Sequence, residues 1–379
     1  MKIVVDKNNP CVAEAFQQFG EVHALSTSAI TKEAVHDAEI LIIRSETKVT
    51  KELLDTSAVR FVGSATIGTD HVDIDYLQST SRTFANAPGS NANSVAEYVV
   101  AALLSLAQKK SFTLHGKSIG VVGVGNVGSK VVRYATALGM TVLQNDPPLE
   151  RQTRSAQFLP FDSLMECDFI TFHVPLTKTG GDATYHLFSQ ERIANLKKGA
   201  IVFNTSRGSV VDGNALKRAL DTDHLSGAVL DVWENEPLID IELLHKVDIG
   251  TPHIAGYSYD GKVAAVKMLY NEACHLFNQP VLWSPGIQAS ESLLKSIIVE
   301  SNGFACEKMI HEVVRQCYDI EADDIALRKL ISLAEIDRQS YFRRLRSEYR
   351  VRREFFNSVV IGSPDAVVNT LVDIGFQLN

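Results

Sequence analysis

SIGVVGVGNVG, at residues 118–128, is a run of mostly apolar residues that leads into the spacing G-x-G-x-x-G. In this spacing Gly123 permits a tight turn, Gly125 lets a ligand approach the backbone, and Gly128 lets the following helix pack closely on the strand. The amides at the start of such a helix bind phosphate groups. The motif alone is weak evidence, but TVLQND at 141–146 has the pattern of a second strand. We therefore predict a dinucleotide-binding strand-helix-strand unit.

Asp146 ends this second strand and indicates which dinucleotide binds. It lies close to the ~20-residue offset at which a carboxylate binds the hydroxyl groups of the adenosine ribose. A carboxylate there repels the 2′-phosphate of NADP, and Pro147 and Pro148 follow it rather than an arginine. The predicted cofactor is therefore NAD, and the alternative role of Asp146 is that of a plain turn residue.

Short apolar segments alternate with helix-length amphipathic segments along most of the chain. The predicted strands lie at 2–5, 40–44, 60–64, 118–122, 141–144, 169–173, 200–204, 227–232 and 247–250. Several are apolar at consecutive positions, as in strands that are covered on both faces. Strands separated by helices form parallel sheets with right-handed crossovers. The predicted fold class is α/β, with two doubly wound, Rossmann-like parallel sheets.

The predicted helices divide the chain into domains. Long helices at 93–110 and 259–277 favour an NAD-binding Rossmann domain at 93–257, inserted into a substrate (catalytic) domain formed by 1–92 and 258–280. We expect the active site in the cleft between the two domains. QPVLWSPG, at 279–286, contains two prolines and a glycine and is predicted to be a linker.

A third domain of different character is predicted at 287–379. It has strands at 294–299 and 356–361, amphipathic helices between them and a further helix at 365–373, which makes it an α+β unit. A basic stretch within it is interpreted as the solvated face of a helix; its members are Arg343, Arg344, Arg346, Arg350, Arg352 and Arg353.

The composition excludes several classes of protein. Hydrophobic residues make up 45% and charged residues 22% of the 379 residues, which is typical of a soluble globular protein. The net charge of −8 argues against nucleic-acid binding, and no apolar run reaches the ~18 residues of a membrane span. The amino terminus begins with a predicted strand rather than a secretory signal. The five scattered cysteines are expected to be buried free thiols, so we expect a cytoplasmic protein, and no metal is predicted.

Three polar side chains follow predicted strands of the same sheet. Arg207 comes after 200–204, Glu236 after 227–232 and His253 after 247–250. The carboxyl ends of parallel strands form the ligand-binding edge of an open α/β sheet, so these residues are expected to converge there. Each of them alone also fits a structural role: a capped histidine, a surface glutamate or a structural arginine.

The oxidation of a 2-hydroxy acid needs these residue types. Histidine is a common general base, so His253 suits the step in which the hydroxyl proton is taken. Glu236 would orient the imidazole and favour its charged form. Arg207 offers a planar fork for the substrate carboxylate. We therefore predict hydride transfer from a hydroxy acid to NAD.

The order of the motifs GVGNVG at 123–128, NTSRG at 204–208, DVWENEP at 231–237 and TPHIAG at 251–256 resembles the D-isomer-specific 2-hydroxyacid dehydrogenase family. The resemblance implies that Arg207 binds the carboxylate, that Glu236 is the partner of the histidine and that His253 is the acid/base. It also implies an NAD site formed by Gly123, Gly125, Asn126, Val127, Gly128, Asp146, Val174, Pro175, Ser206, Asp231 and Gly256. At Val174 related chains often have a small polar residue, so only a backbone contact is expected there.

Further stretches are similar to one group in this family, the erythronate-4-phosphate dehydrogenases. They are IRSETKV at 43–49, SATIGTDHVD at 64–73, NDPP at 145–148, HIAGYS at 253–258 and the carboxyl-terminal region. This similarity implies Ser45, Thr66 and Tyr257 as substrate contacts and a homodimer formed through the carboxyl-terminal domain. A substrate phosphate needs further cations; Arg44 is the first candidate, and Arg346, supplied across the dimer interface, is the second.

The resemblance implies oxidation of 4-phospho-D-erythronate to 2-oxo-3-hydroxy-4-phosphobutanoate with hydride transfer to NAD, a step of pyridoxal 5′-phosphate biosynthesis. Two alternatives remain at this point. One is another D-2-hydroxyacid dehydrogenase, whose substrate is 3-phosphoglycerate, glyoxylate or hydroxypyruvate. The other is a non-catalytic, NAD-sensing protein of the corepressor type, which the complete set of Arg207, Glu236 and His253 argues against.

Overall fold

The computed structural model describes residues 1–286, 295–298 and 305–379. Contacts within the chain divide it into two compact units. The first unit contains 1–91 and 258–286, and the second contains 92–257 and the described residues from 295 onward. Among the helices of these described ranges, none combines the length and the apolar character that crossing a bilayer requires.

The regular elements follow one another in βα order through most of the chain. The described strands are β1 (Lys2–Asp6), β2 (Glu21–Leu25), β3 (Ile40–Ile43), β4 (Phe61–Ser64), β5 (Thr83–Ala85), β6 (Ser118–Val122), β7 (Thr141–Asn145), β8 (Phe169–Phe172), β9 (Ile201–Asn204), β10 (Gly227–Leu230), β11 (Ile249–Gly250), β12 (Lys295–Ile298), β13 (Ser358–Ile361) and β14 (Gln377–Leu378). The described helices are α1 (Val12–Phe16), α2 (Lys32–Val35), α3 (Lys51–Leu54), α4 (Ile74–Ser79), α5 (Ala92–Lys110), α6 (Asn126–Ala137), α7 (Pro147–Thr153), α8 (Gln190–Asn195), α9 (Gly213–Asp221), α10 (Ile241–Lys246), α11 (Tyr259–Leu276), α12 (Cys306–Cys317), α13 (Ile320–Arg328), α14 (Glu335–Ser347) and α15 (Asp365–Asp373).

The first unit is built on a parallel sheet with the strand order β2-β1-β3-β4-β5. Every residue of β3 and β4 is buried, as the consecutive apolar residues of these strands predict. Helix α11 covers one face, where Leu269 and Tyr270 pack with Ile42 and Phe61. A Cβ at Gly63 would lie 3.3 Å from Cδ1 of Leu269, so glycine allows this close approach.

Helix α11 runs antiparallel to the strands that it covers. Near its start, the Tyr259 hydroxyl lies 3.6 Å from Sγ of Cys11, which follows the carboxyl end of β1. Just beyond its end, Phe277 lies under the guanidinium of Arg60, 5.0 Å from the ring centre, and Arg60 precedes β4. The first turn of α11 therefore lies at the carboxyl edge of the first sheet.

The stretch at 279–286, predicted to be a linker, has no regular structure but is packed on the first unit. The Tyr270 hydroxyl accepts hydrogen bonds from the amides of Leu282 and Trp283, both at 2.8 Å. The Trp283 ring is buried, and its Nε1 donates to Glu14 at 3.1 Å. These bonds fasten the stretch to α11 and α1.

The second unit contains a six-stranded parallel sheet with the order β11-β10-β9-β8-β6-β7. After β6 the chain adds β7 on one side and then β8 on the other side. This reversal creates a crevice at the carboxyl ends of β6 and β8, which is where doubly wound sheets bind ligands. The predicted α/β class with two doubly wound parallel sheets is confirmed, and each predicted strand up to residue 250 matches an observed one to within two residues at either end.

The carboxyl-terminal region forms a three-stranded parallel sheet, β12-β13-β14, with helices α12 to α15. The prediction contained only the first two of these strands, and its residues 294 and 299 lie outside the described residues. Val313 of α12 and Leu371 of α15 share one apolar core with Ala96 of α5 and Val131 of α6. The region thus packs directly on the helices that flank the dinucleotide-binding strands.

Two expectations about side-chain burial need correction. The five cysteines are free thiols, but Cys306 is exposed, and only Cys167 and Cys274 are buried. The basic stretch is not one solvated helix face, since Arg352 is buried against the Tyr318 ring at 4.0 Å from the ring centre. The spacing of the arginines in the sequence did not indicate this burial, because helix α14 ends at Ser347 and Arg352 lies beyond it.

Candidate active site

The glycine turn after β6 has the backbone that the motif requires. Gly123 has a φ of +84°, and a Cβ there would lie 2.6 Å from the carbonyl oxygen of His173. A Cβ at Gly128 would overlap the carbonyl oxygen of Gly123, whereas a Cβ at Gly125 would meet nothing within 4 Å. Helix and strand therefore touch at Gly128, and open space for a phosphate group lies at Gly125. The backbone geometry at these three glycines is therefore suited to binding a dinucleotide.

Asp146 connects the glycine turn to the next helix. Its Oδ2 accepts a hydrogen bond from the Val124 amide at 2.8 Å, and its Oδ1 accepts one from the Leu149 amide at 3.0 Å, where it caps α7. Each carboxylate oxygen has a second lone pair, so the half-exposed group can still accept bonds from ribose hydroxyls. The cofactor role and the turn role considered for Asp146 are therefore compatible.

The start of α6 is open to an anion. Its N-cap, Gly125, provides no side-chain acceptor, so the first-turn amides are left without a side-chain cap. Asn126 is exposed and Val127 is half-buried, whereas Gly128 is buried. A bound pyrophosphate would supply the missing acceptors.

The ends of β8 and β9 are joined through His173, which sequence reasoning did not single out. Its Nε2 lies 3.0 Å from the Thr171 hydroxyl, and its Nδ1 lies 3.2 Å from the Thr205 hydroxyl. Burial lowers the pKa of His173 to about 3, so the imidazole is neutral and connects the two strands without a charge. The signal that sequence reasoning missed is the pair of polar residues Thr171 and Thr205, which the folded sheet brings to the two sides of His173. Val174, next to it, lies against Gly123.

The loop after β9 carries Arg207. The Ser206 hydroxyl donates to Oδ1 of Asn204 at 2.9 Å, and Nδ2 of Asn204 donates to the Arg207 carbonyl at 2.9 Å. Nη1 of Arg207 donates to the Ser206 carbonyl at 2.8 Å. A Cβ at Gly208 would overlap the Trp233 backbone, so this loop lies against the loop after β10.

The loop after β10 brings Glu236 to His253. Oε1 of Glu236 is hydrogen-bonded to Nδ1 of His253, and Oε2 accepts from the Trp233 amide at 3.2 Å. Burial by itself raises the pKa of Glu236, but the charges of His253 and Arg346 and the hydrogen bond to His253 outweigh it, so the pKa lies below its usual value. Glu236 is therefore an ionised carboxylate that leaves Nε2 of His253 available to a substrate.

Asp231 holds the loop that carries His253. It is only 1% exposed and accepts hydrogen bonds from the Thr251 hydroxyl at 2.6 Å and from the amides of Ile254 at 2.8 Å and Ala255 at 2.9 Å. The Tyr98 hydroxyl of α5 lies 2.7 Å from the Thr251 hydroxyl and extends this network. Burial raises the pKa of Asp231, while the charge of His253 and these hydrogen bonds oppose the change.

We expect the Asp231→Asn variant to be less stable and less active. The new amide group would face backbone N–H groups that need an acceptor, at a cost of about 1–3 kcal/mol for each donor left unsatisfied. Thermal unfolding and the turnover number measure the two effects. Tyr98→Phe is the matched control, because it removes the outer hydroxyl and leaves the three bonds to Asp231. Equal unfolding temperatures and rates for Asp231→Asn and the parent would contradict the positioning role.

Tyr257 and Arg346 lie together in the second unit. Nη2 of Arg346 donates to the Tyr257 hydroxyl at 3.0 Å, and the guanidinium lies 5.7 Å from the centre of the tyrosine ring. Arg346 also contributes to the lowered pKa of Glu236. The structure thus places Arg346 beside the His253 and Glu236 pair within its own chain, so it does not have to be supplied by a second protomer.

The predicted substrate contacts of the first unit follow neighbouring strands. Arg44 and Ser45 come directly after β3, and Thr66 comes two residues after β4. The Thr66 hydroxyl lies 2.6 Å from the Ser64 hydroxyl and donates to the Gly68 carbonyl at 2.9 Å. Ser45 is exposed and Arg44 is half-buried. All three predicted residues therefore lie at the carboxyl edge of the first sheet.

Comparisons with known proteins place this geometry in a family. Residues 91–255 match the model "D-isomer specific 2-hydroxyacid dehydrogenase, NAD binding domain", and residues 294–375 match a domain of unknown function. The erythronate-4-phosphate dehydrogenase of Salinibacter ruber is 45% identical over 96% of this chain and 94% of its own length. That of Hahella chejuensis is 40% identical over the whole of both chains.

Solved structures support the same assignment. The TT0316 protein of Thermus thermophilus is similar with a TM-score of 0.64 and 26% identity, over 74% of this chain and 99% of its own. The NAD+-bound 3-phosphoglycerate dehydrogenase of Entamoeba histolytica gives a TM-score of 0.63 and 26% identity, over 76% and 98%. The matched NAD-binding domain contains the glycine turn, Arg207, Glu236 and His253, and the cofactor is NAD. The chain belongs to the erythronate-4-phosphate dehydrogenase family of the D-isomer-specific 2-hydroxyacid dehydrogenases.

Proposed function

We propose that this protein oxidises 4-phospho-D-erythronate at its 2-hydroxyl group to 2-oxo-3-hydroxy-4-phosphobutanoate, a step of pyridoxal 5′-phosphate biosynthesis. The observation that carries the proposal is the hydrogen-bonded pair of His253 and Glu236 in an NAD-binding domain. The names of relatives that match along the whole chain support the substrate. When bound, NAD+ accepts the hydride from C2 of the hydroxy acid.

His253 takes the hydroxyl proton in this proposal. Its Nδ1 is held by Glu236, so Nε2 is the atom that accepts the proton. The carboxylate of Glu236 then stabilises the imidazolium that forms, as the lowered pKa of this carboxylate allows. Asp231 keeps the His253 loop in place while the charge changes.

Arg207 binds the carboxylate of the hydroxy acid. Its guanidinium has the fork geometry for two parallel bonds to a carboxylate, and its charge polarises the oxygen on C2. Ser45, Thr66, Tyr257 and Arg44 are proposed as the other substrate contacts, with support from the family resemblance. Val174, Pro175, Ser206, Asp231 and Gly256 are proposed to line the NAD site together with the glycine turn and Asp146.

A substrate panel tests the proposal. We expect NADH formation with 4-phospho-D-erythronate to exceed that with D-erythronate in kcat/KM by at least about tenfold, because a charge-assisted phosphate contact distinguishes the two acids. 3-Phosphoglycerate belongs in the panel, since a neighbouring structure is a 3-phosphoglycerate dehydrogenase. A rate confined to 3-phosphoglycerate or to unphosphorylated hydroxy acids, or to the reduction of glyoxylate or hydroxypyruvate by NADH, would show that the substrate is wrong.

We also propose a separate function for each of three regions of the chain. Residues 93–257 bind NAD, residues 1–92 with 258–280 bind the substrate, and residues 287–379 form a homodimer. Large apolar side chains on the carboxyl-terminal region support the last point, since Ile336 is 87% and Val351 is 73% exposed. The free thiols support the cytoplasm as the compartment.

A further inference from the structure

Lys262 stands at an unusual place for a lysine. It lies in the first turn of α11, where the helix dipole disfavours a positive charge. This turn lies at the carboxyl edge of the first sheet, as the contacts of Tyr259 with Cys11 and of Phe277 with Arg60 establish. The position therefore costs helix stability and places an ammonium group at the ligand-binding edge of a parallel sheet.

Arg44 lies at the same edge, directly after β3. Burial lowers the pKa of Lys262 to about 8, and the charge of Arg44 adds to this lowering. Both side chains are half-buried. An anion bound at this edge of the sheet would be attracted by both positive charges.

We propose that Lys262 and Arg44 together bind the phosphate group of the substrate. This inference rests on the proposed function, and it adds Lys262 as a residue that determines specificity for phosphorylated acids. The phosphate carries a charge of about −1.5 to −2 at neutral pH and has three acceptor oxygens. Arg44 can form two parallel bonds to it, and Lys262 supplies a compact point charge.

The Lys262→Met variant tests the inference through a ratio of substrates. We expect its kcat/KM for 4-phospho-D-erythronate to fall by about 10–100-fold, the usual effect of losing a bond to a charged group, with little change for D-erythronate. Lys267→Met is the matched control on the same helix, where Nζ lies 3.4 Å from the Ser284 hydroxyl; we expect no change in the ratio. Lys262→Arg keeps the charge and should keep most of the preference.

The possible outcomes distinguish a failure of the proposed function from a failure of the phosphate role of Lys262. If the parent protein does not prefer the phosphorylated acid, the proposed function is wrong. If the parent prefers it and Lys262→Met retains the preference, the phosphate role of Lys262 is wrong. An equal fall for both acids in Lys262→Met also contradicts that role, because it would show a structural effect.

A pH series gives a second readout that does not need a methionine variant to fold. Lys262 loses its proton as the pH rises through about 8, so the ratio of kcat/KM for the two acids should fall above that pH in the parent and stay level in Lys262→Arg. The surrounding titratable and charged groups include Arg44, Cys11 after β1, and Tyr259 and Asp260 in the same turn. They are common to both proteins, so parallel pH profiles would overturn the inference.

Discussion

Replacement of His253 by asparagine lowers the turnover number for 4-phospho-D-erythronate by roughly 10²–10⁴-fold, the usual contribution of a general base. Asparagine suits the position because His253 has a φ of +58°, and asparagine tolerates this left-handed region better than most residues. Its amide can still donate to Glu236, but it cannot accept a proton at neutral pH. The expected loss is therefore chemical rather than conformational.

The measurement is NADH formation under saturating substrate and NAD+. The affinity for NADH, followed by its fluorescence, should stay close to that of the parent, which shows that the site is intact. Glu236→Gln is the companion variant; it keeps the shape of the contact and removes the charge that stabilises the imidazolium. Parent turnover no higher than that of His253→Asn would instead favour an NAD-sensing protein without catalysis.

Replacement of Gly128 by alanine produces the second large effect. The added methyl group would overlap the carbonyl oxygen of Gly123, and because this oxygen belongs to the backbone, the overlap cannot be relieved by a side-chain rotation. Overpacking of this kind costs about 1–3 kcal/mol of folding free energy. It also displaces helix α6, whose first-turn amides would bind the phosphate groups. We expect a lower unfolding temperature without cofactor together with an affinity for NADH that falls by at least about tenfold.

Gly125→Ala is the matched control for this prediction. A Cβ at Gly125 meets nothing within 4 Å, so the protein without cofactor should lose less stability than in Gly128→Ala. The methyl group would nevertheless occupy space that the pyrophosphate needs, and the affinity for NADH should fall. If Gly128→Ala binds NADH as tightly as the parent, the close contact of helix and strand is not required.

The strands that could be predicted are those whose sequence shows their burial. The consecutive apolar residues of β3 and β9 are buried at every position, and both strands were predicted. The edge strand β2 has a mixed burial pattern, and β5 and β14 contain only three and two residues. Short or exposed strands depend strongly on the neighbour with which they pair, so a single sequence predicts some of them, such as β7 and β11, and misses others.

The residues of the candidate site can also be divided into those that the sequence predicts and those that it does not. The positions of Arg207, Glu236 and His253 at strand ends could be predicted from the alternation of strands and helices, and their roles remain proposals. The contact of Tyr98 with Thr251 and the effect of Arg44 on the pKa of Lys262 could not be predicted, because the two residues of each pair are distant in sequence. Their roles depend on how helices α5 and α11 lie on their sheets, which is a property of tertiary packing.

The shared core of the carboxyl-terminal region and the helices α5 and α6 has a consequence during synthesis of the chain. The apolar faces of these helices leave the ribosome first, and α12 and α15, which cover them, are made only after the whole second sheet. Until then, these faces are exposed surfaces that favour aggregation or chaperone binding. A nascent chain that stops before α15 therefore leaves part of the apolar surface of α5 and α6 uncovered.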